Sequence, residues 1–234
     1  MINLDGQKAI VLGGTSGIGL AVVEALHMSG VEVIAASRRG QISNELTGVK
    51  CEMVNVLDRD GLDKLFARHA PFDILVNAAT GGERAIGPFM DMDLDAFQGS
   101  FAKLWGYVNS VQIGTRHMSD GGSIVLISGF PARKSLPGFC AISTVGNAVE
   151  GFARAIAPEI SPRRINVVSP GIIDTPMFAQ QGEEREQFLE KMTRDFPIPR
   201  AGTPDEIADG VLFVLRNRFI TGTTVDIDGG ALLP

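Results

Sequence analysis

Seven short apolar runs of strand character alternate with longer segments of helical period along the whole chain. The runs are Lys8–Leu12, Val31–Ala36, Cys51–Val56, Ile74–Asn77, Ser123–Ser128, Ile165–Ser169 and Thr224–Asp228. Between the first two, Ile18, Ala21, Val22, Ala25 and Leu26 fall at the i, i+3, i+4, i+7, i+8 positions of one helical face. Further helices are expected over Leu62–His69, Leu94–Met118, Ala141–Ala157 and Pro204–Arg216. The last carries its own start signal, with Thr203 as N-cap, Pro204 at the first helical position and Glu206 to close a capping box. Strands that are apolar throughout and separated by helices must be covered on both faces, which predicts a parallel, doubly wound α/β sheet.

Composition narrows the function classes. The 234 residues suit a single domain spanning 1–234, and the net charge of −6 with no basic block beyond pairs such as Arg38-Arg39, Arg133-Lys134 and Arg163-Arg164 argues against a nucleic-acid partner. The longest apolar stretches, Ala9–Leu12 and Ile124–Ile127, are far too short for a membrane span, and Met1–Asp5 has no basic or apolar leader pattern. The expectation is a cytoplasmic protein that does not bind membranes. Two widely separated cysteines, Cys51 and Cys140, and three scattered histidines suggest neither a disulfide framework nor a metal site.

The 28 glycines exceed ordinary usage and cluster beside apolar runs. Directly after the first run comes Gly13-Gly14-Thr15-Ser16-Gly17-Ile18-Gly19, opening into the first helix. Glycines there permit a tight turn and bring backbone N–H groups of a helix N-terminus against a pyrophosphate. The spacing Gly13-x-x-x-Gly17-x-Gly19 is wider than the usual dinucleotide fingerprint and resembles that of the short-chain dehydrogenase/reductase family. Asn77-Ala78-Ala79-Thr80 resembles the family's Asn-Asn-Ala-Gly segment, Ser169-Pro170-Gly171-Ile172-Ile173-Asp174-Thr175 its Pro-Gly turn beside the nicotinamide, and Asp226-Ile227-Asp228-Gly229-Gly230 its C-terminal strand and turn. The resemblance covers essentially the whole chain. It implies a Rossmann-type domain with seven parallel strands, a nicotinamide cofactor, and contacts from Gly13, Thr15, Ser16, Gly17, Ile18, Gly19, Asn77, Ala78, Ala79, Pro170, Gly171, Ile173 and Thr175. It also implies that Asn55 and Val56 flank the adenine.

The second run ends in Ser37-Arg38-Arg39, where an acidic residue would bind the ribose hydroxyls and repel a 2′-phosphate. A hydroxyl and two guanidinium groups suit a phosphate instead, so NADP(H) is the expected cofactor.

In the resembled family, Asn, Ser, Tyr and Lys carry the chemistry, with the last two spaced Tyr-x-x-x-Lys. Here the matching positions hold Lys103, Gly129, Ile142 and Gly146. The single tyrosine, Tyr107, is followed four residues later by Val111, so no Tyr-x-x-x-Lys exists in the chain. Candidates for a replacement are Lys103, four residues before Tyr107 and on the same helical face, and Ser128 beside Gly129. The competing reading makes Tyr107 a core or subunit-contact aromatic and pairs Lys103 with a carboxylate or the cofactor. No activating base is visible for Ser128. Arg133 and Lys134 are possible partners of Lys103 in an anion pocket, or a solvated pair.

Two functions remain open. One is a divergent NADP(H)-dependent oxidoreductase acting on a small carbonyl or alcohol; the other is an inactive NADP(H)-binding protein serving as a redox sensor or assembly partner. The polar segment Phe178–Phe196 reads equally well as a mobile lid or as a solvated helical excursion. By resemblance the helices over Leu94–Met118 and Ala141–Ala157 make a subunit contact, and the apolar tail Ala231–Pro234 would be left exposed in a monomer, so a homotetramer, or failing that a dimer, is expected.

Overall fold

The computed structural model describes residues 3–42 and 46–234, so Met1 and Ile2 of the N-terminal reading lie outside the described residues. In chain order the elements are β1 (Lys8–Leu12), α1 (Gly17–Met28), β2 (Glu32–Ser37), β3 (Lys50–Met53), α2 (Arg59–His69), β4 (Phe72–Asn77), α3 (Leu94–Ser100), α4 (Ala102–Gly114), β5 (Met118–Ile127), α5 (Cys140–Ile156), β6 (Arg164–Pro170), α6 (Gly182–Thr193), α7 (Pro204–Arg216) and β7 (Thr224–Ile227). The strands form one seven-stranded sheet in the order β3-β2-β1-β4-β5-β6-β7. Every pairing is parallel.

Alternation along β1 explains the two layers. Ala9 and Val11 join α1 and α7 in one apolar cluster, through Val22, Val23, Leu26, Ile207, Val211 and Val214. Ile10 and Leu12 face the other way, into α2, α4 and α5, with Phe66, Tyr107, Val111, Val149 and Ala153. The sheet is therefore buried on both faces, as its continuously apolar strands require.

Strand order reverses between β1 and β4, each pairing with the other while their outer neighbours diverge. In such sheets the crevice beyond the carboxyl ends of the strands at this switch point is where ligands bind. All the loops that matter below leave from those ends.

Two expectations about elements need correction. The third strand stops at Met53, and Val54 and Val56 are buried beneath α4 outside the sheet. A β-carbon on Gly106 of α4 would lie 2.5 Å from Val56 Cγ2, so the helix can approach only because that residue is glycine. The single helix expected over Leu94–Met118 is broken at Phe101, and Met118 already belongs to β5. Gly99 and Ser100 are weak helix formers, and Ser100 Oγ donates to Ala96 O at 3.0 Å while accepting Ala85 N–H at 2.9 Å. The break thus ties the loop after β4 to the start of α4. By contrast, α7 has the expected bounds and its capping box is formed by Thr203 and Glu206.

Candidate active site

The turn after β1 is built to lie against the end of β4. Gly13 has φ +80° and its N–H donates to Ala36 O at 2.8 Å; a β-carbon there would stand 2.7 Å from Ala79 N. A β-carbon on Gly19 would meet Gly13 O at 2.1 Å. Gly17, at φ +52°, faces Thr175, whose Cβ lies 3.4 Å from the position of the missing β-carbon. Ser16 caps α1 in extended conformation without a side-chain hydrogen bond, and the first turn carries no acidic residue. The first amides of a 12-residue helix therefore lack side-chain acceptors, between the glycine turn and Thr175.

Neighbouring residues fix this cradle. Asn77 is fully buried, its Nδ2 donating to Ser110 Oγ at 2.7 Å and its Oδ1 accepting Ala79 N–H at 3.1 Å, so it orients the turn holding Ala78 and Ala79. Pro170 is buried at the end of β6, and Gly171 lies so close to the chain after β7 that a β-carbon would stand 2.6 Å from Asp228 O. Ile173 is buried and bridges Gly202, which leads Thr175 back to the glycine turn. At the end of β2, Ser37 Oγ accepts the N–H groups of Arg39 and Gly40 at 3.2 and 3.1 Å. Arg38 and Arg39 are exposed and, among the described residues, make no ion pair. Asn55 is exposed with its Oδ1 on Leu57 N–H, beside the buried Val56. A dinucleotide fits this set: a backbone cradle that side chains would fill, unclaimed helix amides, and two guanidinium groups at the strand end where an adenosine ribose would lie.

The other half of the crevice departs from the expectations. Tyr107 is fully buried, its hydroxyl donates to Ile127 O at 2.9 Å, and burial pushes the phenol far above its usual range. It is a core aromatic and no proton donor. Lys103 shares its helical face, with Nζ 5.6 Å from the ring centre and donating to Ser128 O at 3.4 Å. No carboxylate pairs with Lys103 among the described residues, so of the two expected partners, a carboxylate or the cofactor, the first is not found. Loss of hydration first, and repulsion from Arg84 second, bring its pKa down to about 8.

The proposed helpers Arg133 and Lys134 are engaged elsewhere. Arg133 Nε lies 3.1 Å from Glu150 Oε2, and its two terminal nitrogens hold both oxygens of Asp226. Lys134 Nζ donates to Ala231 O and sits 5.9 Å from the Phe196 ring centre. An anion pocket of Lys103, Arg133 and Lys134 is therefore not formed, because each of the latter two is drawn to partners on β7 and the tail.

Ser128 is buried; its Oγ donates to Glu150 Oε1 at 3.2 Å and stands 3.4 Å from Gly146 O. Burial raises the Glu150 carboxyl against the lowering influence of Arg133 and Ser128. Sequence reasoning missed Glu150, although a carboxylate among Val145, Val149 and Ala153 on the buried face of α5 needs a partner and could have been flagged. Gly129 lies in extended backbone, and Ile142 is half-buried in the first half of α5. A β-carbon on Gly146 would stand 2.8 Å from Ala132 Cβ, so the short turn Phe130–Ala132 fills the space beside it.

The segment 178–196 is helical over Gly182–Thr193 with its polar face in solvent, as the excursion reading expects, but its apolar face is docked on the body of the protein. Phe178, Phe188, Leu189, Met192 and Phe196 pack with Phe130, Ile172 and Ala231. Arg185 of α6 clamps the preceding loop, donating to Asp174 Oδ1 at 2.7 Å and to the carbonyls of Thr175, Phe178 and Gln180 at 2.7, 3.0 and 3.2 Å. The apolar tail is packed over its first half: Ala231 is fully buried and Leu232 half-buried, while Leu233 and Pro234 are exposed, so the argument for assembly from a wholly exposed tail fails.

Residues 13–231 match a family model described as enoyl-(acyl carrier protein) reductase. The chain belongs to the short-chain dehydrogenase/reductase family. Among curated relatives of this family, L-xylulose reductase of Bos taurus is 29% identical, covering 99% of this chain and 98% of its own. Carbonyl reductase family member 4 of Danio rerio is 30% identical over 97% of this chain and 98% of its own. The crystal structure of a small-chain dehydrogenase in complex with NADPH superposes with a TM-score of 0.87 at 30% identity, over 98% of this chain and all of the other. The positions that the resemblance assigned to the family's Tyr and Lys hold Ile142, which has no ionisable group, and Gly146, where a β-carbon would displace Ala132.

No helix among the described residues is long and apolar enough to cross a membrane.

Proposed function

We propose that the chain is a cytoplasmic NADP(H)-dependent oxidoreductase that transfers hydride to or from a small carbonyl or alcohol substrate through a non-standard site. The observation that carries this reading is the cradle at the switch point, from Gly13 to Gly19 against Ala79 and Thr175, with Arg38 and Arg39 exposed at the end of β2. The NADPH complex of a 30% identical neighbour supports the same choice of cofactor. When bound, NADP(H) supplies or accepts the hydride. The chain's own part is to hold the phosphates on the α1 amides, to secure the ribose 2′-phosphate with Arg38 and Arg39, and to manage a proton at the substrate oxygen. Lys103 is the candidate for that proton, since an ammonium with a pKa of about 8 can give one up near neutral pH. Ser128 is a positioning residue, its hydroxyl held by Glu150.

A second reading, an inactive NADP(H)-binding protein, is favoured by the closed position at Gly146, which bars the family's lysine from its place. Turnover separates the two. NADPH oxidation is followed over a panel of aldehydes, ketones and quinones, with NADPH binding measured by calorimetry. The oxidoreductase reading expects substrate-dependent oxidation, slow on simple carbonyls against an ordinary range of about 1–10³ s⁻¹, and loss of it in Lys103→Met. Binding without any turnover selects the second reading, and absence of NADPH binding defeats both.

A homotetramer, or a dimer, remains part of the proposal: Trp105 of α4 is 54% exposed beside Leu57 on the outer face of the helix layer. Light scattering at micromolar concentration tests it, and a monomer would contradict it.

A further inference from the structure

Two cations, Lys103 at the start of α4 and Arg84 on the loop after β4, form no ion pair among the described residues. The loop after β4 is pinned onto that helix at two points. Gly81, at φ +77°, lies so close to it that a β-carbon would stand 2.7 Å from Lys103 N, and Ala85 N–H donates to Ser100 Oγ at 2.9 Å. Arg84 lies between these anchors, on the stretch of loop that crosses the start of α4, near enough for its charge to repel the Lys103 ammonium. Among the described residues Arg84 has neither an ion pair nor a side-chain hydrogen bond, and Lys103 has only the Ser128 carbonyl oxygen.

The groups facing Lys103 are the Tyr107 ring on its own helix, the Ser128 carbonyl from β5 and Arg84 from the loop; none is acidic. Phe101, which precedes α4, offers no side-chain cap to the helix amides. Arg84 is an exposed residue, but the part of its side chain that lies against the protein loses water, and this holds the guanidinium below its usual range as well. Like charges brought together while losing water cost free energy unless a ligand supplies the opposite charge.

We propose that Lys103 and Arg84 form an oxyanion subsite that binds a carboxylate or phosphate group of the substrate. This deepens the oxidoreductase reading and rests on it for the word substrate, and it replaces the proton role of Lys103 there with an electrostatic one, the substrate then being one that needs no proton from the chain's own residues. The ammonium supplies a point charge and the Arg84 guanidinium a planar fork, a pairing suited to either group. The expected substrates are thus acidic carbonyl compounds rather than neutral aldehydes or sugars.

The test is calorimetric titration of the NADPH-saturated protein with inorganic phosphate and, separately, with malonate. Saturable binding of at least one probe is expected, weakened about tenfold or more by Lys103→Met and by Arg84→Gln but unchanged by Lys134→Gln, with NADPH affinity kept within about twofold in all three. The tighter probe names the group recognised. Arg84 is exposed on a loop, so Arg84→Gln tests the subsite without altering the packing around α4. Binding of neither probe, or binding that both variants retain, overturns the proposal. Should NADPH itself not bind, the cofactor reading fails separately, and the same titrations on the cofactor-free protein still compare wild type with Arg84→Gln.

Discussion

A β-carbon added to Gly146 would lie 2.8 Å from the β-carbon of Ala132, closer than two such atoms can approach. The position that the family resemblance assigns to a lysine is thereby closed by the short turn Phe130–Ala132 that follows β5. Restoring the family's residues with Ile142→Tyr and Gly146→Lys should therefore destabilise the protein by about 1–3 kcal/mol and create no efficient carbonyl reductase. Adding Ala132→Gly should recover most of the stability. Urea denaturation of the double and triple variants decides this, and an undiminished midpoint for the double variant would show that the turn yields freely.

Cofactor choice is carried by the end of β2. Ser37 Oγ closes the turn by accepting Arg39 N–H and Gly40 N–H, which leaves its own O–H and the two guanidinium groups to meet the ribose phosphate. Charge-assisted bonds of about 1.5–3 kcal/mol imply a roughly tenfold to hundredfold preference for NADPH over NADH. Arg38→Ala should remove most of it while changing NADH affinity little. Equal or tighter NADH binding by the wild type, measured by calorimetry, contradicts the assignment.

The network of Arg133, Glu150 and Asp226 joins the turn after β5 to α5 and β7. Arg133→Met strands the buried Glu150 carboxylate and should cost roughly 2–4 kcal/mol near pH 7. Burial already raises the Glu150 carboxyl despite the lowering effect of Arg133, and removing Arg133 raises it further. Below that raised value the carboxyl is protonated and needs no cation, so the penalty should shrink as the solution is made more acidic. Thermal melts of both proteins at a series of pH values test the coupling; a penalty independent of pH would show that Arg133 matters for Asp226 alone.

Lys103 should carry the opposite pH signature. Its pKa is brought to about 8 from the usual 10.5, by burial and then by Arg84. Between those values the unfolded chain holds a proton that the folded chain has shed, so the lysine's cost is present at neutral pH and fades as pH rises through this window. Lys103→Met should accordingly stabilise the protein by about 1–2 kcal/mol near pH 7 and by progressively less towards pH 10. Denaturant midpoints for the pair across that range are the measurement, and a variant less stable at pH 7 would mean that the ammonium is better satisfied than its surroundings indicate.

What was readable from residue order is what depends on near neighbours. The strands are short apolar runs and α7 begins with Thr203, Pro204 and Glu206, signals that act within one turn of backbone; β1 and α7 have the bounds that those signals mark. The glycine turn was legible for the same reason, since its backbone demands are local. The broken helix at Phe101 was not, because the bond from Ala85 N–H to Ser100 Oγ comes from a loop 15 residues earlier. Charges were the least legible of all. Arg133 finds Asp226 across 93 positions of sequence, Lys134 finds the tail, and Arg84 is left beside Lys103. A helical stripe or a cap follows from spacing, but the partner of an ionic side chain follows from which elements the sheet brings together, and packing settles that over distances along the chain to which no local pattern is sensitive.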